Sequence, residues 1–311
     1  HSLDINYALL DISDSEYSDI LSEGRTWQNC LRILDRFCDN YPKYIGGSLF
    51  IVGGQDVIPS PVVSNPHWLK DIIENQEKHY REKDLEVDLL YSYRSENIRF
   101  VRDIELDYEF LFNSNHSCRF AVGRLPMEDG VVSEKRRNEI LSYFERAINL
   151  FAPTDTKPVG IDIKNHLVTA AESLNVVSHI MTNGMPLTPI KEEPGLVEGN
   201  IFLSPALILT ESDNVEETIK CSNGGELYVD ALRKAEMLTF VSHGASAAED
   251  NGCYGEDKRK ENLYTAFIPE LFQLCPAKIV GSVCCWGARY INYRVEESML
   301  LTAMAKGVLI F

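Results

Sequence analysis

The sequence predicts an α/β fold: a mostly parallel sheet flanked by helices, arranged as two side-by-side α/β subdomains. Three observations carry that expectation. Short apolar runs bounded by small or turn residues alternate with stretches of helical periodicity, the pattern of a parallel sheet wound with helices. Two of these runs stop at chemically reactive residues: Met237–Val241 leads into Ser242-His243-Gly244, and Ala277–Val283 leads into Cys284-Cys285-Trp286-Gly287. A stretch holding Pro153, Pro158 and Gly160, at 152–160, separates two such blocks and reads as a linker, giving subdomains 1–155 and 156–311.

Taken in order, residues 7–12 read as a first strand or edge segment, and 25–40 as an amphipathic helix. Cys30 and Cys38 share a face of that helix with Trp27, Leu31, Leu34 and Phe37, and so read as small buried hydrophobes. Ser48–Val52 is a strand closed by Gly53-Gly54-Gln55-Asp56 and Pro59. Its glycines fit neither GxGxxG nor GxxxxGK[ST], so a tight turn is expected there rather than a phosphate loop. Residues 66–87 are polar, a helix or an inserted loop; Val87–Tyr93 reads as a short edge strand; 94–118 give no clear pattern. Phe120–Pro126 is strand-like, and a helix opens at Ser133 and runs to about Leu150.

The second block starts with a strand at His166–Ala171 and a helix near 173–183. A long Pro- and Gly-rich loop is expected at 184–205 and a strand at Ala206–Thr210. Helices are expected near 215–221, capped by Asn214, and at 226–236. The His strand follows, then an acidic loop, a helix near 264–274 and the Cys strand. Val295–Met304 reads as a helix stopped by Gly307. Val308–Phe311 begins one more strand, so the second subdomain reads as truncated. His1-Ser2 is not a natural start and reads as trimmed, with a signal peptide upstream left open.

Composition bounds the function. The 311 residues are 44% hydrophobic, enough for a sizeable core, and carry a net charge of −17. That charge argues against nucleic acid and anionic membrane as partners, which call for basic stripes. No apolar run approaches the roughly 18 residues of a spanning helix. Eight cysteines (30, 38, 118, 221, 253, 275, 284, 285) form no dense disulfide framework, so a cytoplasmic location is expected, with a secreted one as the alternative.

In an open parallel sheet, ligands sit outside the carboxyl ends of the strands. That rule brings His243 and one of the two cysteines to a common edge. A thiolate attacks a carbonyl when a base is near, and an imidazole can take the thiol proton and return it to a leaving amine. Gly244 permits close backbone approach, so its N–H and that of Cys285 are the candidate oxyanion donors.

These blocks resemble the caspase-like (clan CD) cysteine peptidases, which pair a His-Gly block with a Cys block on adjacent strands. Here the blocks are Phe240-Val241-Ser242-His243-Gly244 and Val280–Gly287, with 42 residues from 243 to 285. Within the clan the chain looks more like the gingipain-like peptidases, through Phe50–Pro59, Val87–Tyr91 and Ala121–Pro126 in that order. The CHAT-type peptidases, often found within larger regulated bacterial proteins, are similar in the two catalytic blocks. The resemblance implies a caspase-like fold with a pseudo-caspase-like first subdomain. It also implies a thiol protease acting on polypeptides without a cofactor, under control of a further domain, partner or processing event. It aligns Cys285 with the nucleophile and Cys284 with the small residue before it; Cys284 is the second choice. Asp88, Asn115, His116 and Trp286 are candidate substrate-pocket residues. Strict arginine specificity does not carry over, because the acid that precedes the Val-Gly-Arg strand in arginine-cutting relatives is replaced by Asn113-Ser114-Asn115-His116.

Other readings remain open. The acidic stretch Glu249, Asp250, Glu256 and Asp257 is either a solvated loop or an attractor of basic substrates. Lys258-Arg259-Lys260 is an ordinary loop or a processing site. A zinc site from His243, Cys253, Cys275 and the cysteine pair matches no zinc spacing. A catalytically silent caspase-like scaffold is the alternative function. Asp88 is also a candidate third catalytic acid, against the reading that it is structural.

Overall fold

The computed structural model describes residues 7–65, 84–113, 117–151, 163–191, 193–203, 224–244, 252–256, 263–284 and 293–310. They belong to two compact units, His1–Met127 and Glu128–Phe311. The division precedes the linker expected at 152–160, which lies outside the described residues, as do the expected strand at 206–210 and helix at 215–221.

The first unit runs α1 (Ser18–Leu21), α2 (Trp27–Asn40), β1 (Ser48–Val52), β2 (Val62–Ser64), β3 (Asp84–Glu86), β4 (Phe100–Arg102), β5 (Glu105–Leu106), α3 (Tyr108–Asn113) and β6 (Ala121–Leu125). Thr26 caps α2 by accepting from the Asn29 N–H at 3.2 Å. The helix buries Cys30, Leu31, Leu34 and Cys38 against Ile51, Tyr91 and Phe120, as its periodicity predicts. β1 pairs with β6 in parallel, while β2–β3 and β4–β5 are antiparallel pairs.

Two expectations fail here. Residues 7–10 form no strand; Leu10 and Ile12 instead lie against the helical cores. Val87–Tyr93 is not an edge strand: Asp88–Ser92 is a 3-10 turn that buries Leu90, Tyr91 and Ser92 together. A strand would have sent neighbouring residues to opposite faces.

The second unit starts with α4 (Ser133–Phe151), then β7 (His166–Ala170), α5 (Asn175–Thr182), β8 (Val197–Glu198), β9 (Ile201–Leu203), α6 (Gly225–Leu232), β10 (Met237–Val241), β11 (His243–Gly244), β12 (Cys253–Glu256), β13 (Leu263–Phe267), β14 (Ile279–Val283) and α7 (Met299–Ala305). α4 is tied to the far end of this unit: the Tyr143 hydroxyl donates to the Leu309 carbonyl at 3.1 Å and Arg146 Nη2 to the Met304 carbonyl at 3.2 Å.

A five-stranded sheet runs in the order β14-β10-β7-β9-β8, parallel except for β8. β7 is buried at every position, as a strand covered on both faces must be. On one face Leu167, Phe202, Leu238, Phe240 and Val280 pack with Tyr228 and Leu232 of α6 and Met299 and Ala303 of α7. On the other, Val168, Ala170, Ile201 and Val241 form a second cluster. Burying each large side chain contributes about 1.5–3 kcal/mol. Ser298 caps α7 by accepting from the Leu301 N–H, and Gly307, at φ +110°, ends it. Ile310 then bridges to Ile279 in parallel, extending the sheet past β14.

The segment 184–205, expected as a loop, carries β8 and β9 joined by Gly199-Asn200, both at positive φ. That pair fits a two-residue hairpin turn. The expected acidic loop contains β12, and the expected helix at 264–274 is β13 followed by a 3-10 turn at Pro269–Leu274. Among the described residues no helix is long and apolar enough to cross a membrane.

Candidate active site

The register of the sheet builds the site. β10 and β14 run in parallel with Val241 opposite Val283, and the Ser242 N–H donates to the Val283 carbonyl at 3.2 Å. The segments carrying His243 and Cys284 therefore leave the sheet side by side at its carboxyl edge, as expected. Past Ser242 the chain enters a small antiparallel sheet, β11-β12-β13. Phe267 of β13 anchors it: its ring lies 4.5 Å from that of Phe240 and 5.0 Å from that of Phe272. Gly252, just before β12, is required by close approach, since a Cβ there would sit 2.4 Å from the Phe267 carbonyl oxygen.

Pairing then sorts the side chains. His243 is opposite Tyr254 and Gly244 is opposite Cys253. Glu256 follows Tyr254 by two residues, so it shares the His243 face and is its diagonal neighbour, within reach for a long side chain. His243 Nε2 lies 3.3 Å from Glu256 Oε2. The imidazole is 37% exposed, whereas the carboxylate behind it is 6% exposed. The other Glu256 oxygen accepts the Ser173 N–H at 2.5 Å, which ties the His hairpin to the turn after β7. Burial works against the Glu256 charge, but the Ser173 hydrogen bonds and the His243 ring outweigh it, so its pKa lies below the ordinary glutamate value.

Sequence reasoning missed this acid. In the sequence Glu256 groups with Glu249, Asp250 and Asp257 as a solvated or substrate-attracting loop, yet it is a buried strand residue that meets the Ser173 N–H and the His243 ring. Neither Cys253-Tyr254-Gly255-Glu256 nor Leu263–Phe267 shows a period-two pattern that would mark it as a strand residue.

Cys284 points into the core. Its Sγ is 2.9 Å from Ser282 Oγ and 3.8 Å from Cys253 Sγ, and its side chain packs on the main cluster. Cys253 is fully buried. Its hydrogen bond to Cys284, together with burial, pushes its thiol well above the ordinary cysteine value. Cys275 Sγ lies 3.6 Å from the Ala235 carbonyl. Among the described residues no group of three or more His, Cys, Asp or Glu side chains could hold a metal ion. Cys285, Trp286, Asn115, His116 and 258–260 lie outside the described residues.

Asp88 belongs to the first unit, where its carboxylate is held by Arg124. Nε donates to Oδ2 at 2.6 Å and Nη2 to Oδ1 at 2.7 Å, while Nη1 donates to the Gly53 and Ile58 carbonyls. Ser60 Oγ adds a bond to Asp88 at 2.6 Å and is held in turn by Gln55. Arg124 is 4% exposed and Asp88 24%. The segments 50–59, 87–91 and 121–126 thus meet in one knot, in which the bidentate geometry of an arginine on β6 crosslinks the turn after β1 and the 3-10 turn at Asp88–Ser92.

His166, buried in β7, bonds Thr239 Oγ1 at 2.8 Å. Burial depresses its pKa, so it stays neutral and structural. No family model, no curated protein and no solved structure matches this chain.

Proposed function

We propose that the chain is a cysteine endopeptidase in which His243 is the general base and acid and Cys285 the nucleophile. The observation that carries the reading is the pairing of a half-open imidazole with a buried carboxylate at the sheet edge where Cys284 leaves β14. With Nε2–H donated to Glu256, Nδ1 is left as the basic nitrogen, and the carboxylate stabilises the imidazolium that forms. Glu256 therefore acts as a positioning residue.

Cys284 is turned to the core beside Cys253, which favours Cys285 over Cys284 as the nucleophile. In the proposed reaction the Cys285 thiol gives its proton to His243 and attacks the scissile carbonyl. The N–H groups of Gly244 and Cys285 hold the oxyanion, His243 protonates the leaving amine, and water hydrolyses the thioester. No cofactor is needed. The caspase-like fold, a polypeptide substrate and control by a further domain or partner belong to the same proposal. The convergence of 50–59, 87–91 and 121–126 on Arg124 supports it, because these are the segments through which the chain resembles the gingipain-like peptidases.

The test is cleavage of a peptide library by the purified chain, comparing wild type with Cys285→Ala and His243→Ala. Turnover lost in both variants, with folding retained, supports the peptidase. Equal turnover in all three contradicts it.

A further inference from the structure

The geometry points to Cys253 and Cys284 as a redox-sensitive dithiol that a peroxide converts to a disulfide, reversibly disabling the His243 edge. The consequence for that edge rests on the peptidase reading; the disulfide itself does not.

The two sulfurs already touch, at 3.8 Å, although 31 residues separate them in the chain. Bond formation requires an approach of about 1.8 Å. The partners differ in the way that sequential oxidation requires. Cys284 is only partly buried, with the Ser282 hydroxyl 2.9 Å from its sulfur. Cys253 is fully buried and lies beyond direct attack by a solvent oxidant.

The chemistry balances with hydrogen peroxide as the oxidant. The Cys284 thiolate attacks one peroxide oxygen; the O–O bond breaks, a sulfenic acid forms and hydroxide leaves, taking a proton to become water. The Cys253 sulfur then attacks the Cys284 sulfur. The S–O bond breaks, the S–S bond forms, and the Cys253 proton departs with the hydroxyl as a second water. The two thiols are oxidised by two electrons and the peroxide is reduced.

The position gives the bond leverage. Cys253 is the register partner of Gly244, and Cys284 immediately precedes Cys285. Drawing β12 and the end of β14 together therefore moves both the proposed oxyanion donor and the residue before the proposed nucleophile. Catalytic geometry does not tolerate a displacement of about 1 Å.

The experiment treats the native chain with graded hydrogen peroxide, blocks remaining thiols and maps crosslinked peptides by mass spectrometry. In parallel it follows the labelling rate of Cys285 by a peptide acyloxymethyl ketone. The expected result is a Cys253–Cys284 crosslinked peptide lighter by two hydrogens, absent in Cys253→Ser and Cys253→Ala. Labelling should fall at least about tenfold and return with dithiothreitol, and at the same peroxide dose Cys253→Ala should lose less labelling, its remaining loss coming from direct oxidation of Cys285. A crosslink between Cys284 and Cys285, or conversion of Cys284 to sulfinic acid without a crosslink, overturns the dithiol. A mapped crosslink with unchanged labelling overturns the switch. If Cys285 is never labelled in the reduced chain, the peptidase reading and the switch fall together while the crosslink map still decides the dithiol.

Discussion

His243 and Glu256 face each other across one side of a small antiparallel sheet, with Nε2 of the imidazole 3.3 Å from Oε2 of a carboxylate that is almost entirely buried. A strand residue so placed has no packing reason to be an acid. Its charge is maintained by the Ser173 N–H and by the ring itself. Glu256→Gln keeps the shape and removes the charge. The expected outcome is a fall of about 10²-fold or more in kcat/KM, with little change in KM, and a shifted pH–rate profile. Steady-state kinetics on the variant check this; an unchanged pH profile would make Glu256 merely structural.

The same carboxylate predicts a pH dependence of stability. Its pKa in the folded chain lies below the ordinary value of about 4.3. Its contribution is therefore fully present above that value and is lost as pH falls through the lower folded pKa. Thermal melts of wild type and Glu256→Gln should diverge least at the acid end and most from about pH 5 upward.

The cysteines should separate. Cys284→Ala removes a core-packed thiol and is expected to cost about 1–3 kcal/mol in stability while retaining turnover. Cys285→Ala should abolish turnover. Denaturant titration alongside peptide cleavage distinguishes the two; loss of turnover only in Cys284→Ala would move the nucleophile by one residue.

Arg124→Lys tests the knot in the first unit. A lysine keeps one charge but cannot serve Asp88, Gly53 and Ile58 together. Leaving buried acceptors unpaired should destabilise the chain by about 3 kcal/mol, read by urea unfolding.

Phe267→Ala removes the ring between Phe240 and Phe272 and should cost about 3–5 kcal/mol. Because that ring anchors the hairpin bearing His243 and Glu256, turnover should fall further than in a variant equally destabilised at Leu31 of the first unit. Paired melts and kinetics provide the check.

The neighbouring His and Cys strands were legible because each is a continuous apolar run ending in a small-residue turn, and parallel strands place their ends together. The helix at 133–151 was legible through its period and its Ser133-Glu134 start. Glu256 was not: a register shift between Cys253 and Tyr254 interrupts the alternation, and acidic neighbours disguise one buried acid as a solvated loop. β13 was hidden because the 3-10 turn after Pro269 spaces Phe267, Leu271 and Leu274 much as a helix does. β8 and β9 are too short to show a period, and only the Gly199-Asn200 turn marks them. The Asp88–Arg124 pairing joins residues 36 apart, and no local pattern signals it.

The central claim is that a His243–Glu256 pair activates Cys285. The most direct measurement is labelling by peptide acyloxymethyl ketones with varied P1 residues, with the modified cysteine mapped by mass spectrometry. The account predicts rapid, P1-dependent modification of Cys285, lost in His243→Ala and slowed in Glu256→Gln. Modification that ignores P1 and survives His243→Ala would contradict it.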